Sequence, residues 1–580
     1  MIKQFAPCVK KYWWAALLSP LTVIIEVLLE VRIPMLMSQI VDTGITNQDL
    51  QYVVNMGVQM VAFALCSLAA GALSAWFASI AGMGLGAGLR QGMFDRVQDF
   101  AFSNVDRFST ASLVTRLTTD VNRVQMTFMM LIRVCVRAPV MLVSATVLAW
   151  QLNGELVTVF LIAIPVLGGM LALIATRAFP RFQVMLEKFD GLNARVQETL
   201  MAIRVVKAFV RSKFEKEKFE VTNDDLKRAS IMAEKILVWN GPLMTLAMYA
   251  CIVAIVWFGG KLIAFGSMET GQLMSFISYV TQILMSLMMI TNTFVMIVMS
   301  KASANRICEV LQEMPDISDA QADPALAVPD GSIEMRHVFF RYNQEAEKPV
   351  LSDISLSIRS GETIGVIGGT GSAKSTLVQM IPRLYEAEEG EVLVGGHNVK
   401  DYTLDHLRGA VAMVLQKNVL FSGTIRENLL WGNPEATDEE LIEACKAAQA
   451  HEFVMAFPDG YETNLGQGGV NVSGGQKQRP GIARALPPPL LKNPKILILD
   501  DSTSAVDTAT DSKIREALRA HRSDTTTIII AQRVTSVCEA DRIIVLDDGK
   551  INDIGTHSEL LARNQIYQEV YYSQQEGVAS

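Results

Sequence analysis

Nine consecutive residues carry the clearest chemistry in this chain: Gly368, Gly369, Thr370, Gly371, Ser372, Ala373, Lys374, Ser375 and Thr376. They follow an apolar run at 363–367 and precede an apolar helical pattern. A loop of small residues leaves its backbone N–H groups free to wrap phosphate oxygens, assisted by the N-terminus of the next helix. Lys374 is spaced to reach β- and γ-phosphates, and Ser375 to ligate Mg²⁺. A second apolar run, 496–500, ends in Asp500, the carboxylate expected as the other Mg²⁺ partner. This is the chemistry of binding a nucleoside triphosphate and transferring its terminal phosphoryl group.

These residues need strands to hold them. Residues 332–342 alternate like a strand, 363–367 read as the strand feeding the loop, and 496–500 as a buried parallel strand. The second half is therefore expected to be a P-loop α/β domain, with boundaries at 331–573 and a flexible tail at 574–580. A stretch rich in Pro, Asp and Ala, within 306–330, reads as the linker before it.

The first half is different. Of 580 residues, 50% are hydrophobic and only 19% charged, below the roughly 25% usual for soluble proteins. Six apolar segments, 13–40, 58–82, 129–150, 157–175, 243–265 and 273–299, are long enough to cross a bilayer, which needs about 20 helical residues. The first reads as a retained span, since no small-residue cleavage site accompanies it. Residues 1–305 thus form a helical transmembrane domain. The loops at 84–127 and 177–240 are long and basic, whereas 47–52, 151–155 and 266–271 are short and carry few positive charges. Positive loops prefer the cytoplasm, which places both termini and the nucleotide domain there, in a cell membrane. The flanks of the long loops suggest helices that continue past the bilayer.

The net charge of −8 gives no support to nucleic-acid binding. Seven dispersed cysteines without a CxxC pair exclude a disulfide framework or zinc site. All six histidines lie in the second half, so the membrane half has no histidine metal site. Three charges interrupt the first span: Glu26, Glu30 and Arg32. Glu26 falls about 20 Å along the helix from Trp13, near mid-membrane. Two readings stay open, a site for cationic or polar substrate groups and a structural Glu–Arg pairing between helices. The methionines of the last span, Met274, Met285, Met288, Met289, Met296 and Met299, read as a packing or lipid-facing stripe.

Between the two phosphate motifs lies Ser473-Gly474-Gly475-Gln476. With this ordered set the chain resembles ATP-binding-cassette transporters, and six spans before one cassette resemble an exporter-type half-transporter. The resemblance implies roles for matching residues. Tyr342 would stack on adenine. Gln416 would sense Mg²⁺ and contact the membrane domain. Ser473, Gly474, Gly475 and Gln476 would meet the γ-phosphate held by a second subunit's P-loop, and Asp507 would belong to the loop after the Mg²⁺ carboxylate. Coupling helices would lie near 112–120 and 210–216. ATP and Mg²⁺ are the implied ligands.

Three positions depart from the family pattern. Ala373 stands where a glycine is expected, and suits the loop if that residue starts a right-handed helix. Asp501 replaces the Glu that polarises the attacking water, and Gln532 replaces the switch histidine. Asp is one methylene shorter than Glu, and an amide cannot donate a positive charge. Together they imply the degenerate half of a heterodimer, whose partner supplies the Glu and His. Such a subunit would move a hydrophobic or amphipathic substrate (drug, lipid or peptide) out of the cytoplasm by alternating access. An ATP-gated channel-like protein and an exporter-fold importer, for siderophores for example, are the alternatives. Pro480 and the run 487–489 interrupt the helix after the signature; the triple proline is expected to end it and add a short bulge.

Overall fold

The computed structural model describes residues 2–343, 346–486, 494–504, 506–520 and 524–579. The chain forms two compact units, Met1–Gln98 with Ser109–Glu313, and Asp99–Phe108 with Met314–Ser580.

The first unit is helical. Among the described residues six helices are long and apolar enough to cross a membrane, and each contains one of the six apolar segments of the sequence or the greater part of it. They outrun the bilayer. Leu50–Gln98 has 49 residues, about 74 Å at 1.5 Å per residue, against a hydrocarbon core of about 30 Å. The last span, Thr270–Gln312, likewise continues into the segment expected to be linker. Val23, Val27 and Val31 of the first span pack on Met141, Ala145 and Ala149 of the third and on Phe276, Tyr279 and Val280 of the last. Tyr279, fully buried, donates its hydroxyl to the Val31 carbonyl at 3.0 Å. Close approach needs small residues, as in other membrane bundles: a Cβ on Gly86 would lie 2.2 Å from the Gln125 side chain of the neighbouring helix. Nearer the chain's charged end, the Arg306 guanidinium grips the buried Asp120 carboxylate with two bonds of 2.7 and 2.6 Å.

The second unit is α/β. Its main sheet has six strands in the order Lys550–Gly555, Arg542–Asp547, Thr363–Gly368, Thr526–Ile530, Ile496–Asp500 and Val411–Val414. All pairings are parallel except that of the first two. Every residue of Ile496–Asp500 is buried, as a strand covered on both faces requires. Ile530 lies opposite Val366 on one side and Asp500 on the other. The segments that follow these three strands therefore emerge at one sheet edge, where parallel α/β sheets place ligands. A four-stranded antiparallel sheet, in the order Leu351–Ile358, Ile333–Phe340, Glu389–Val394 and His397–Asn398, shares the core.

The helix Gly474–Ala485 runs through Pro480 and ends before Pro487. Leu486 is already extended, as a residue before proline tends to be. Residues 487–489, where a bulge was expected, lie outside the described residues. Pro480 sits inside the helix, where it removes one i→i−4 bond. Pro480→Ala should raise the stability of the full chain by about 2 kcal/mol. A thermal unfolding midpoint that does not rise in lipid nanodiscs would count against this reading.

The short helix Phe102–Phe108 belongs to the cassette's unit. Asp106 accepts the Tyr385 hydroxyl at 2.7 Å, Ser103 bonds Asp316 at 2.6 Å, and the Phe102 ring meets Tyr385 edge-on. The cassette-bound segment thus lies at Asp99–Phe108, ahead of the expected 112–120, which folds with the first unit. The second long loop breaks at the short helix Ile203–Ala208, just before the expected 210–216; Phe209 and Val210 that follow are highly exposed.

Candidate active site

The phosphate loop leaves the strand Thr363–Gly368 and enters the helix Lys374–Gln379. The Lys374 ammonium bonds the carbonyls of Gly368 and Gly369 at 2.9 and 2.8 Å, and the Ser372 hydroxyl at 3.3 Å. It is folded onto the cradle whose phosphates it would serve. Burial pushes its pKa below the usual lysine range, while Asp501 and Asp500 oppose that shift.

Ala373 corrects the sequence reading. Its backbone is left-handed, φ 69° and ψ 24°, and not the start of a right-handed helix. A side chain there costs about 1–2 kcal/mol, which explains why glycine is expected at this position. Ala373→Gly should therefore stabilise the loop, by about 1 kcal/mol after the extra unfolded-state entropy of glycine is subtracted. Thermal unfolding of the full-chain variant in lipid nanodiscs checks this, with a raised midpoint as the expected result.

Beside the loop, the Ser375 hydroxyl donates to Asp500 Oδ1 at 2.9 Å. The Asp500 carboxyl is buried, and desolvation raises its pKa; the Ser375 bond lowers it, Asp501 raises it and Lys374 lowers it. A hydroxyl and a carboxylate, both hard oxygen donors, fit Mg²⁺. Bound there with a nucleotide, the ion would neutralise phosphate charge.

Asp501 follows the strand in a left-handed conformation, φ 46°, which Asp accepts more readily than most residues. Its Oδ2 accepts two amide N–H groups, from Gln416 at 3.2 Å and from Gln532 at 2.8 Å. Three residues separated by up to 116 positions thus converge on one carboxylate oxygen.

The other sequence candidates are placed as follows. Tyr342 is half exposed, its hydroxyl bonded to Thr376 at 2.8 Å and its ring edge-on to Phe340 and Tyr385. Ser473 caps the signature helix: its Oγ accepts from the Gln476 N–H, and Gln476 Oε1 accepts from the Ser473 N–H at 2.9 Å. Gly474 is exposed at that helix's first position, with the half-buried Gly475 next. Asp507 accepts the Thr510 N–H at 2.9 Å at the start of Thr508–Ala520, which holds its carboxyl below the usual range.

In the membrane unit, Glu26 and Glu30 of the first span both bind Arg137 of the third, Glu30 at 2.6 Å. Arg32 takes no part in this triad. The Glu26 carboxyl is wedged against the second span, where a Cβ on Gly71 would come within 2.9 Å of it. The interhelical pairing is the reading the geometry favours, with Arg137 of the third span as its cation. An arginine inside an apolar segment, 129–150, was the signal available.

Six long apolar helices and a P-loop sheet in one chain define a membrane protein with its own nucleotide-binding domain. The family described as ABC transporter transmembrane region matches residues 16–287, and the family described as ABC transporter matches residues 351–504. YfiB of Bacillus subtilis (strain 168), an uncharacterized ABC transporter ATP-binding protein, is 38% identical over 97% of both chains. The ATP-dependent lipid A-core flippase of Syntrophus aciditrophicus is 33% identical, over 86% of this chain and 81% of that one. The structure of a bacterial Atm1-family ABC exporter with ATP bound shares the fold, with a TM-score of 0.81 over 98% of each chain at 24% identity. The chain belongs to the ABC transporter family, as an exporter-type half-transporter with a transmembrane domain fused to an ATP-binding domain.

Proposed function

We propose that this chain is one subunit of an ATP-driven exporter and contributes the slower of two composite ATP sites. The observation that carries the reading is the Asp501 carboxylate, short by one methylene and clamped by two glutamine amides. Gln532 Nε2 has two N–H groups, so it can hold Asp501 with one and meet a γ-phosphate with the other, but it brings no positive charge. Lys374 and the loop N–H groups would hold the phosphates, Ser375 and Asp500 the Mg²⁺, and Tyr342 the adenine. The signature Ser473–Gln476 would complete the site on a partner that supplies Glu and His. The cassette would face the cytoplasm, following the basic loops.

The cargo in this reading is a hydrophobic or amphipathic molecule. A relative named as a lipid A-core flippase supports a lipid-like class. The test is ATP hydrolysis by the purified full chain, alone and with a co-expressed half-transporter carrying Glu and His. The expected result is slow turnover alone and rapid turnover by the pair. Robust turnover by the chain alone, abolished by Asp501→Asn, would overturn the slow-site assignment.

A further inference from the structure

The C-terminal helix Gln565–Ala579 extends through the segment that the sequence assigned to a flexible tail. Its base is anchored. Tyr567 is fully buried against Ile367, Ala531, Val534 and Leu560, and its hydroxyl bonds His557 Nδ1 at 2.7 Å. Its backbone N–H donates to Asn564 Oδ1 at 2.8 Å. Gln574 lies seven residues on, two helical turns away and on the same face.

There its side-chain amide grips the loop that follows the strand Thr526–Ile530. Nε2 donates to the Gln532 carbonyl at 2.8 Å, and Oε1 accepts the Val534 N–H at 2.9 Å. One carboxamide thus straddles Arg533 and pins the backbone on both sides of it. The pairing needs one donor and one acceptor on a single planar group, which glutamine and asparagine alone provide among side chains of this shape. The Gln532 side chain, on the backbone so held, is the group that bonds Asp501 at 2.8 Å.

We propose that Gln574 is a positioning residue for ATP hydrolysis: the C-terminal helix sets the backbone of Gln532, and through it the Asp501 carboxylate. The proposal rests on the role given above to Gln532 and Asp501. It adds that the end of the chain controls this switch loop, so that anything displacing the last helix alters turnover and leaves nucleotide affinity unchanged. Misplacement by about 1 Å at a reacting centre can cost about a hundredfold, so partial release of the loop should cost on the order of tenfold.

The experiment is single-turnover hydrolysis of radiolabelled ATP by the full chain in lipid nanodiscs, with ATP half-saturation measured in parallel. Gln574→Glu is isosteric, replaces the donor to the Gln532 carbonyl by a charged acceptor and keeps the acceptor for the Val534 N–H; Gln574→Leu removes both bonds without adding charge. Each should slow hydrolysis about tenfold with half-saturation changed by less than about twofold, and neither should slow Gln532→Ala any further. If Gln532→Ala itself hydrolyses at the unmodified rate, the role of Gln532 is wrong and the proposal falls with it. If Gln532→Ala is slow but both Gln574 variants are normal, or they slow Gln532→Ala by the same factor again, the positioning role is wrong and Gln532 keeps its role. A Gln574→Leu chain that fails to fold leaves the isosteric variant to decide.

Discussion

Asp501→Glu combined with Gln532→His should raise ATP hydrolysis by the isolated chain about a hundredfold. The added methylene moves the carboxylate by roughly 1 Å, the scale on which rates change by about two orders of magnitude. Histidine in place of Gln532 adds a group that can carry positive charge toward the γ-phosphate, which an amide cannot do. Asp501→Glu alone should gain less. Position 501 has φ 46°, and a left-handed backbone suits Asp better than Glu. The readout is steady-state phosphate release at saturating ATP. A double variant no faster than the unmodified chain would show that these two positions do not limit the site.

Arg137→Ala should destabilise the membrane unit by about 3 kcal/mol. Removing one partner of a partly buried ionic cluster leaves the rest uncompensated, here the carboxylates of Glu26 and Glu30. Glu26 is the more sensitive of the two, because it is buried and its Oε2 already lacks a hydrogen-bond partner among the described residues. Neutralising the whole triad with Glu26→Gln, Glu30→Gln and Arg137→Gln should recover much of the loss, since the cost lies in the unpaired charges. Thermal unfolding in nanodiscs reads both variants. A Glu26→Gln, Glu30→Gln chain of normal stability that fails to bind cationic compounds would favour the substrate reading of Glu26 and Glu30 over the pairing.

Much of the site is legible in the sequence. The loop from Gly368 to Thr376 announces itself because backbone wrapping of phosphate demands small residues at short spacing. Asp500 is legible as the end of an apolar run, and both departures, Asp501 and Gln532, are visible by type. What could not be read was conformation and company. Alanine at 373 is compatible with either helical hand on paper, and only the fold commits it to φ 69°. Arg137 was visible as a charge in a span, but nothing in the sequence says which carboxylates face it across two helices. Gln574 carried no signal at all, since a glutamine near a chain end is unremarkable until a helix seats it against Gln532 and Val534.

By itself the sequence determined the parts: six apolar spans, one phosphate-binding cassette, the order of its motifs and the two side chains that depart from the family pattern. These depend on local composition and spacing along the chain, which burial in lipid and phosphate wrapping impose directly. The tertiary structure alone decided which parts meet. Parallel pairing of Thr363–Gly368, Thr526–Ile530 and Ile496–Asp500 brings the ends of three distant segments to one edge, so that Gln416, Gln532 and Asp501 share a single oxygen. Helix packing chose Arg137 as the cation for Glu26 and Glu30. Both outcomes depend on contacts between residues far apart in the chain, because a hydrogen bond or ion pair is satisfied by distance in space and leaves no trace in sequence spacing.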